Sequence, residues 1–189
     1  MGADPATDVF LGAQASETKV KAMDLTGKRI IAFATHALVP GDLDGLDQPA
    51  LALTSPKVTG GTGDGLLTME EVFRLKLNAD WIVLSACNTG AAEGAGSEAV
   101  SGLGRAFFFA GARAILVSMW PVETKSAARL TTGIFRHQQA DKTLAKAEAV
   151  RAAMLDLIDS RGMVDAKTGK TVASYAHPMF WAPFITIGG

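Results

Sequence analysis

The stretch that decides the fold is Asp80–Gly90, DWIVLSACNTG. Its apolar run, Trp81–Leu84, leads within three residues to Cys87, the only cysteine of the chain. A glycine-rich segment, Asn88–Gly96, follows, and apolar residues then recur at helical spacing over Ser97–Ala110. This pattern predicts a buried strand, a loop and a helix. In an open parallel sheet such a strand ends at the crevice where ligands bind, so the thiol lies where an active site is expected.

A second stretch has the same form. Arg29–Thr35, RIIAFAT, predicts a buried strand, and His36 follows it directly, 51 positions before Cys87. If the two strands are parallel neighbours, the imidazole and the thiol reach the same edge of the sheet. A cysteine and a histidine are the minimum for a thiol nucleophile with its base.

Composition limits the possible partners and compartments. The 189 residues suit one domain, 48% of them are apolar, and the net charge is −1 without a charged block. Nucleic acid and anionic membrane are therefore not expected as partners. No apolar run approaches the roughly 18–20 residues that span a bilayer, and the N-terminus lacks a signal-peptide pattern. We expect a cytoplasmic protein whose thiol stays reduced.

The same composition gives no reason to expect a metal or a cofactor. One cysteine excludes an intrachain disulfide and an all-cysteine metal site, and the three histidines lack ligand spacing. Asp42, Asp44 and Asp47 are oxygen-rich and leave calcium as an alternative, but a solvated loop is the favoured interpretation. The glycine-rich loop lacks the phosphate-binding pattern GxxxxGK[ST], which disfavours nucleotide binding.

Strands and helices alternate along the rest of the chain. Further strands are predicted at Ala50–Thr54, Arg113–Met119 and Pro183–Ile187. Helices are predicted at Ser16–Met23, from a capping box of Thr68 and Glu71, at Lys125–Gln139 and at Lys142–Asp159. The apolar face of the last helix is predicted to comprise Leu144, Ala147, Val150, Met154 and Leu157. A loop is predicted at Val39–Pro49, a hairpin tip or mobile loop at Ser55–Gly65, and a loop or hairpin at Arg161–Tyr175. The alternation predicts an α/β fold with a mainly parallel sheet and helices on both faces.

Two interpretations of Cys87 remain open from the residues alone. A lone cysteine is often a buried core residue, whereas a position just before a helix lowers the pKa of a thiol and favours thiolate. His36 could be a strand-end histidine bonded to a loop. However, His137 lies in a predicted exposed helix and His177 in a loop, so only His36 ends a predicted buried strand. Its role would be to take the thiol proton and later to protonate the leaving amine.

Two further features would complete such a site. Attack on a peptide carbonyl needs N–H donors for the oxyanion, and the backbone amides of Cys87 and Ala37 are natural donors. Glu123 follows Trp-Pro-Val at the end of the third long strand, where it could line a pocket for a basic substrate side chain. Alternatively, its carboxylate lies at a helix N-terminus and is stabilised by the helix dipole.

The sequence resembles the CHAT domain, a caspase-like domain often attached to tetratricopeptide repeats. The resemblance runs from about Ser16 to Gly189 and rests on five ordered motifs. These are FATHALV, DGLLTMEEV, LNADWIVLSACNTG, GSEAVSGLGRAFFFAGARAILVSMWPVE and HPMFWAPFITIG. It implies a caspase-like three-layer sandwich, with His36 as general base and Cys87 as the nucleophile that forms an acyl-enzyme. In separase-like relatives an acidic residue after W-x-V lines the P1 pocket, which implies a basic P1 preference through Glu123.

The chain also departs from the usual pattern of the family at two points. The family usually has glycine after the histidine, where this chain has Ala37, and a full domain usually extends further at its N-terminus. We expect a single domain, possibly the C-terminal part of a larger protein with an N-terminal repeat domain. The leading hypothesis is an endopeptidase acting on peptide or protein substrates and activated by a partner domain or by loop ordering. The alternative is a weakly active or inactive interaction module.

Overall fold

The computed structural model describes residues 3–85, 95–160, 162–165 and 167–189, and for residues 95–101 it describes the backbone alone. Within these residues the strands are β1 (Ile30–Phe33), β2 (Ala37–Leu38), β3 (Ala50–Ala52), β4 (Leu66–Thr68), β5 (Trp81–Leu84), β6 (Ala114–Ser118), β7 (Met163–Val164), β8 (Thr171–Ala173) and β9 (Phe184–Gly188). The helices are α1 (Pro5–Asp8), α2 (Glu17–Ala22), α3 (Pro56–Thr59), α4 (Met69–Arg74), α5 (Ala95–Ala110), α6 (Thr124–Ala140) and α7 (Lys146–Ile158). Two short 3-10 helices span Gly12–Gln14 and Pro178–Phe180.

The central sheet has the strand order β1-β5-β6-β9. The first three strands are parallel, and β9 is antiparallel to β6. The predicted α/β class with a mainly parallel sheet is therefore confirmed. Every residue of β5 and of β6 is buried. A strand that is buried on both faces has a continuous apolar run rather than an alternating pattern, which is why Trp81–Leu84 is apolar throughout.

Two hydrophobic clusters lie on opposite faces of this sheet. Ile82 and Leu84 pack in the cluster that contains Phe107 of α5. Trp81 and Val83 pack in the other cluster, with side chains of α6 and α7. Since successive side chains of a strand point to opposite faces, helices cover both faces of β5.

The prediction that Arg29–Thr35 forms a buried strand is wrong in its burial. β1 is an edge strand, paired with β5 alone in the central sheet. Ile30 is 38% exposed and Ala32 is also exposed, whereas Phe33 is buried. Ile30 and Ala32 pair with Trp81 and Val83, so they point to the α6–α7 face. That cluster does not extend over β1, and only the side chains on the α5 face of the strand are covered.

A second, antiparallel sheet, β2-β3-β4, carries the residues after His36. Its inward side chains Leu51 and Leu67 are completely buried in the α5-side cluster. The predicted loop Ser55–Gly65 joins β3 to β4 and includes the single helical turn α3. The amide of Leu53 donates to the carbonyl of Gly65 (2.7 Å) and closes this connection. The segment is therefore the hairpin connection, the first of the two forms predicted for it.

Helix starts follow local sequence signals. Ser16 caps α2 by accepting from the Lys19 amide, and Thr68 and Glu71 form the predicted capping box of α4. By contrast, α7 begins at Lys146 and not at Lys142. The Asp141 carboxylate accepts hydrogen bonds from the amide and hydroxyl of Thr143, which stabilises a turn there.

The C-terminal part differs from the prediction in two details. The predicted apolar face of the last helix included Ala147, but Ala147 is exposed and Ala149 is buried, because the helix packs at a slightly different rotation. Within the described residues of 162–175 the chain forms the hairpin β7–β8, one of the two forms predicted for Arg161–Tyr175. The last strand forms as predicted, but it runs antiparallel to its neighbour.

Candidate active site

The carboxyl ends of β1, β5 and β6 form one edge of the central sheet. Phe33 of β1 pairs with Leu84 of β5, and Leu84 pairs with Val117 of β6. The Ser85 amide then donates to the Phe33 carbonyl (3.1 Å), so β1 and β5 stay together for one residue beyond the strand. Ligands bind at this edge in open parallel sheets.

His36 lies at this edge, three residues after the end of β1, and it is exposed. Its backbone is held by the second sheet, since its carbonyl accepts from the Ala52 amide (2.8 Å). The Thr35 hydroxyl donates to the carbonyl of the same Ala52. A fixed backbone that carries an exposed imidazole suits a proton acceptor or donor.

Ala37 begins β2, is 5% exposed and pairs with Leu51. The hydrogen bond from Ala52 to His36 flanks this pair, which is the pattern of a non-hydrogen-bonded antiparallel pair. In such a pair the N–H points away from the partner strand, so the Ala37 amide points away from β3. Among the described residues only glycines have positive φ. Alanine therefore fits this position without backbone strain, although the family usually has glycine here.

Cys87 and its amide, the predicted nucleophile and second oxyanion donor, lie outside the described residues. So does most of the predicted loop Asn88–Gly96, whose last two positions belong to α5. The nearest described residue before the cysteine is Ser85.

Glu123 caps helix α6. One carboxylate oxygen accepts from the Lys125 amide (3.0 Å) and the other from the Ser126 amide (2.7 Å). This is the helix-terminus alternative that the sequence left open, and it uses both oxygens of the side chain. The residue is partly buried and lies five positions after the end of β6, on the side of the sheet where His36 lies.

The two other histidines have structural partners. His137 Nε2 lies 2.8 Å from a carboxylate oxygen of Asp156 on α7, and His177 Nδ1 accepts from the Met179 amide (3.3 Å). Within the described part of the chain no three histidine, cysteine or acidic side chains form a group that could hold a metal. Asp42, from the oxygen-rich loop, accepts from the Val39 amide (2.8 Å) and so stabilises a turn.

One residue near the site was not anticipated. The side chain of Glu17 is 7% exposed and is hydrogen-bonded to residues 47 and 48 positions later in the chain. No local sequence pattern indicates a contact over that separation.

The match to known families agrees with this arrangement. The sequence-family model of the CHAT domain matches residues 1–189, the whole chain. The chain is a CHAT domain. No curated protein matches this CHAT domain at a significant level. None of its described helices is long and apolar enough to cross a membrane. The CHAT family is caspase-like, and a relation to caspase-like cysteine peptidases follows from membership.

Proposed function

We propose that this CHAT domain is a cysteine endopeptidase in which His36 is the base and Cys87 the nucleophile. The observation that carries the proposal is the in-register parallel pairing of β1 with β5. His36 and Cys87 each follow the paired residues, Phe33 and Leu84, by three positions. Covalent geometry keeps the Cα of Cys87 within about 7 Å of the Cα of Ser85, whose amide is bonded to β1. Exposure of the imidazole also supports the proposal, since a general base must reach its substrate.

In the first half-reaction His36 takes the proton of Cys87, and the sulfur attacks the peptide carbonyl carbon. A C–S bond forms, and the carbonyl π electrons move to the oxygen. The amides of Ala37 and Cys87 stabilise that oxyanion. The electrons then return, the C–N bond breaks, and His36 protonates the leaving amine to give a thioester.

In the second half-reaction water hydrolyses the thioester. His36 takes a proton from the water as the oxygen attacks the acyl carbon. Collapse of this second oxyanion breaks the C–S bond, releases the carboxylic acid and restores the thiol with the proton that His36 holds.

A basic P1 preference through Glu123 is the finer part of the proposal. Its position beyond β6 on the edge that carries His36 supports it. A carboxylate oxygen has more than one acceptor site, so a carboxylate that caps a helix can still accept from a guanidinium. The two capping bonds, however, make the helix end a competing use of the same charge.

The test is cleavage of a fluorogenic peptide library varied at P1, by wild type, Cys87→Ala and Glu123→Gln. We expect cleavage that disappears in Cys87→Ala. Glu123→Gln should lose the preference for arginine and lysine while retaining cleavage of neutral peptides. Retained basic preference in Glu123→Gln would leave Glu123 as a helix cap only.

Cys87 labelling in the same samples separates activation from absence of function. An acyl electrophile should modify Cys87 much faster than it modifies a free thiol, and His36→Ala should remove the excess. Fast labelling without cleavage would favour a peptidase that needs a partner domain or loop ordering. Slow labelling without cleavage would favour the interaction module and contradict the proposal.

A further inference from the structure

The buried carboxylate of Glu17 holds the hairpin that supports His36. Its Oε2 accepts from the amides of Asp64 (3.1 Å) and Gly65 (3.1 Å), and its Oε1 from Lys21 Nζ (2.9 Å). Burying a carboxylate is unfavourable unless it is paired and hydrogen-bonded, and here both oxygens have partners. Hydrogen bonds to Glu17 and Glu71 also raise the pKa of Lys21, which keeps this ammonium charged. The carboxylate is therefore satisfied where it lies and is not free to bind a ligand.

The chain at position 63 is shaped around this carboxylate. A Cβ added to Gly63 would lie 2.2 Å from Glu17 Oε2, closer than any real contact. The backbone of the hairpin connection can therefore approach the acid only because residue 63 is glycine. A substitution there displaces the carboxylate without changing any charge.

A short hydrogen-bonded path leads from Glu17 to His36. Glu17 binds the Gly65 amide, and the Gly65 carbonyl accepts from the Leu53 amide (2.7 Å). Ala52, the residue before Leu53, donates its amide to the His36 carbonyl (2.8 Å). The connection 55–65 therefore lies between the acid and the strand that holds the histidine.

The segment before Glu17 is hydrogen-bonded to the other end of the same β3–β4 connection. The Thr54 amide donates to the Ala15 carbonyl (3.0 Å), and the Thr54 hydroxyl donates to the Gly12 carbonyl (2.7 Å). Residues 12–17 thus bind both ends of the connection between β3 and β4. The hairpin cannot shift against residues 12–17 without breaking several of these bonds.

We propose that Glu17 is a positioning residue, which fixes the β3–β4 hairpin and through it the backbone amide of Ala37. This inference rests on the proposed peptidase function, because it assigns Glu17 to the orientation of the Ala37 amide that stabilises the oxyanion. A displacement of about 1 Å at a reacting group lowers rates by up to about 10²-fold. Loss of the Glu17 carboxylate should therefore slow acyl chemistry more than it destabilises the fold.

The experiment compares two reagents on Cys87 in wild type, Glu17→Gln and the control Glu70→Gln. The carboxylate of Glu70 is exposed and pairs with Arg74 on the same helix, so the control makes the same charge change outside the contacts of Glu17. A peptidyl acyloxymethyl ketone with arginine at P1 needs the oxyanion donors, whereas iodoacetamide needs only the thiolate. We expect Glu17→Gln to react about 10- to 100-fold more slowly with the ketone. Its rate with iodoacetamide should change far less, and the control should match wild type.

Gly63→Ala is the second variant, because it moves the carboxylate and keeps its charge. It should show the same selective loss with the ketone, and the double variant should be no slower than Glu17→Gln, since the two changes act through one contact. A ketone rate within about twofold of wild type in both variants would overturn the inference. So would equal losses with both reagents, or failure of both variants to fold, which would make Glu17 a determinant of general stability. A wild type whose Cys87 reacts no faster than a free thiol would instead refute the peptidase proposal.

Discussion

The two edges of the central sheet differ in how their charges are satisfied. At the amino ends of the parallel strands, one oxygen of Asp80 accepts from Arg29 (2.6 Å) and the other from Arg113 (2.8 Å). Arg113 also donates to the side-chain oxygen of Asn78 (2.6 Å). Each strand start is thus tied to the next by groups of opposite charge within the protein.

The carboxyl edge is arranged differently. His36 is exposed there, and among the described residues neither it nor Glu123 takes part in an ion pair. Charges at the amino edge therefore hold the strands together, whereas the carboxyl edge carries an exposed imidazole, that of His36, and a carboxylate, that of Glu123, which caps a helix. Substitutions at the two edges should therefore separate stability from activity.

The largest expected effect is on activity, from His36→Ala. Loss of a general base lowers the rate by about 10²- to 10⁴-fold. Because the side chain is exposed, the free energy of unfolding should change by less than about 0.5 kcal/mol. Peptide cleavage and thermal unfolding measure the two quantities, and His137→Ala, which removes a partly buried imidazole paired with Asp156 on α7, is the control that should keep activity. If the His36→Ala variant lost stability along with activity, the carboxyl edge would also hold the fold together, and the proposed difference between the two edges would be wrong.

The next effect is on stability, at the turn that leads into the amino end of β6. Gly111 has a φ of +112°, and a Cβ there would lie 2.3 Å from the Leu77 carbonyl oxygen. We expect Gly111→Ala to lower the free energy of unfolding by about 2–4 kcal/mol. Gly169→Ala, between β7 and β8, is the matched control, since its φ of +69° is also positive but no atom lies within 4 Å of the added Cβ. Denaturant unfolding measures the free energy of unfolding of both variants. Equal stability of the two would contradict the role given to the Leu77 contact.

The smallest expected effect is on the pH dependence of stability, and it comes from Asp80 at the amino edge. Burial favours the neutral acid, but the hydrogen bond from Arg29 and the charges of Arg29 and Arg113 outweigh it and lower the pKa of Asp80. The folded state therefore favours the carboxylate. The resulting stability is present above the unfolded pKa of about 3.9 and is lost as the pH falls through the lower folded value. Both arginines are more than half exposed, so we expect about 1 kcal/mol at neutral pH.

Asp80→Asn tests this contribution. Its deficit in unfolding free energy relative to wild type should be constant from neutral pH to about pH 5 and should shrink below about pH 4. Urea unfolding at several pH values measures it, with Glu70→Gln as a surface-pair control that changes by less than about 0.5 kcal/mol. A deficit that grew in acid would refute the stabilising role of the Asp80 carboxylate. A loss of peptidase activity at neutral pH would show that the amino edge also affects activity.

Much of the fold follows from local sequence signals. The capping box of Thr68 and Glu71, the Ser16 cap and the apolar run Trp81–Leu84 each predict the element that forms. These signals are reliable because backbone groups at a helix end need partners within a few residues, and a strand between two others is buried on both faces. The candidate histidine was predicted in the same way, as the residue after an apolar strand.

The prediction fails where a residue's surroundings come from distant parts of the chain. Ile30 and Ala32 have the apolar character of a buried strand, yet only one face of β1 is covered. Ala149 is buried in place of Ala147, because the rotation of α7 depends on its packing against α6. The carboxylate of Glu123 caps α6, a use that the sequence could propose but not choose over a substrate pocket.

The sequence by itself determined the α/β class, the order of the main strands and helices, and the CHAT family of this protein, because these depend on local periodicity, caps and motifs. Tertiary structure alone decided that β1 and β5 are neighbours in register, that the Ala37 amide points away from β3, and that Glu17 is buried against residues 64 and 65. The physical reason is that strand register and the burial of a carboxylate depend on contacts between residues far apart in the chain. Single-sequence periodicity carries no information on those contacts.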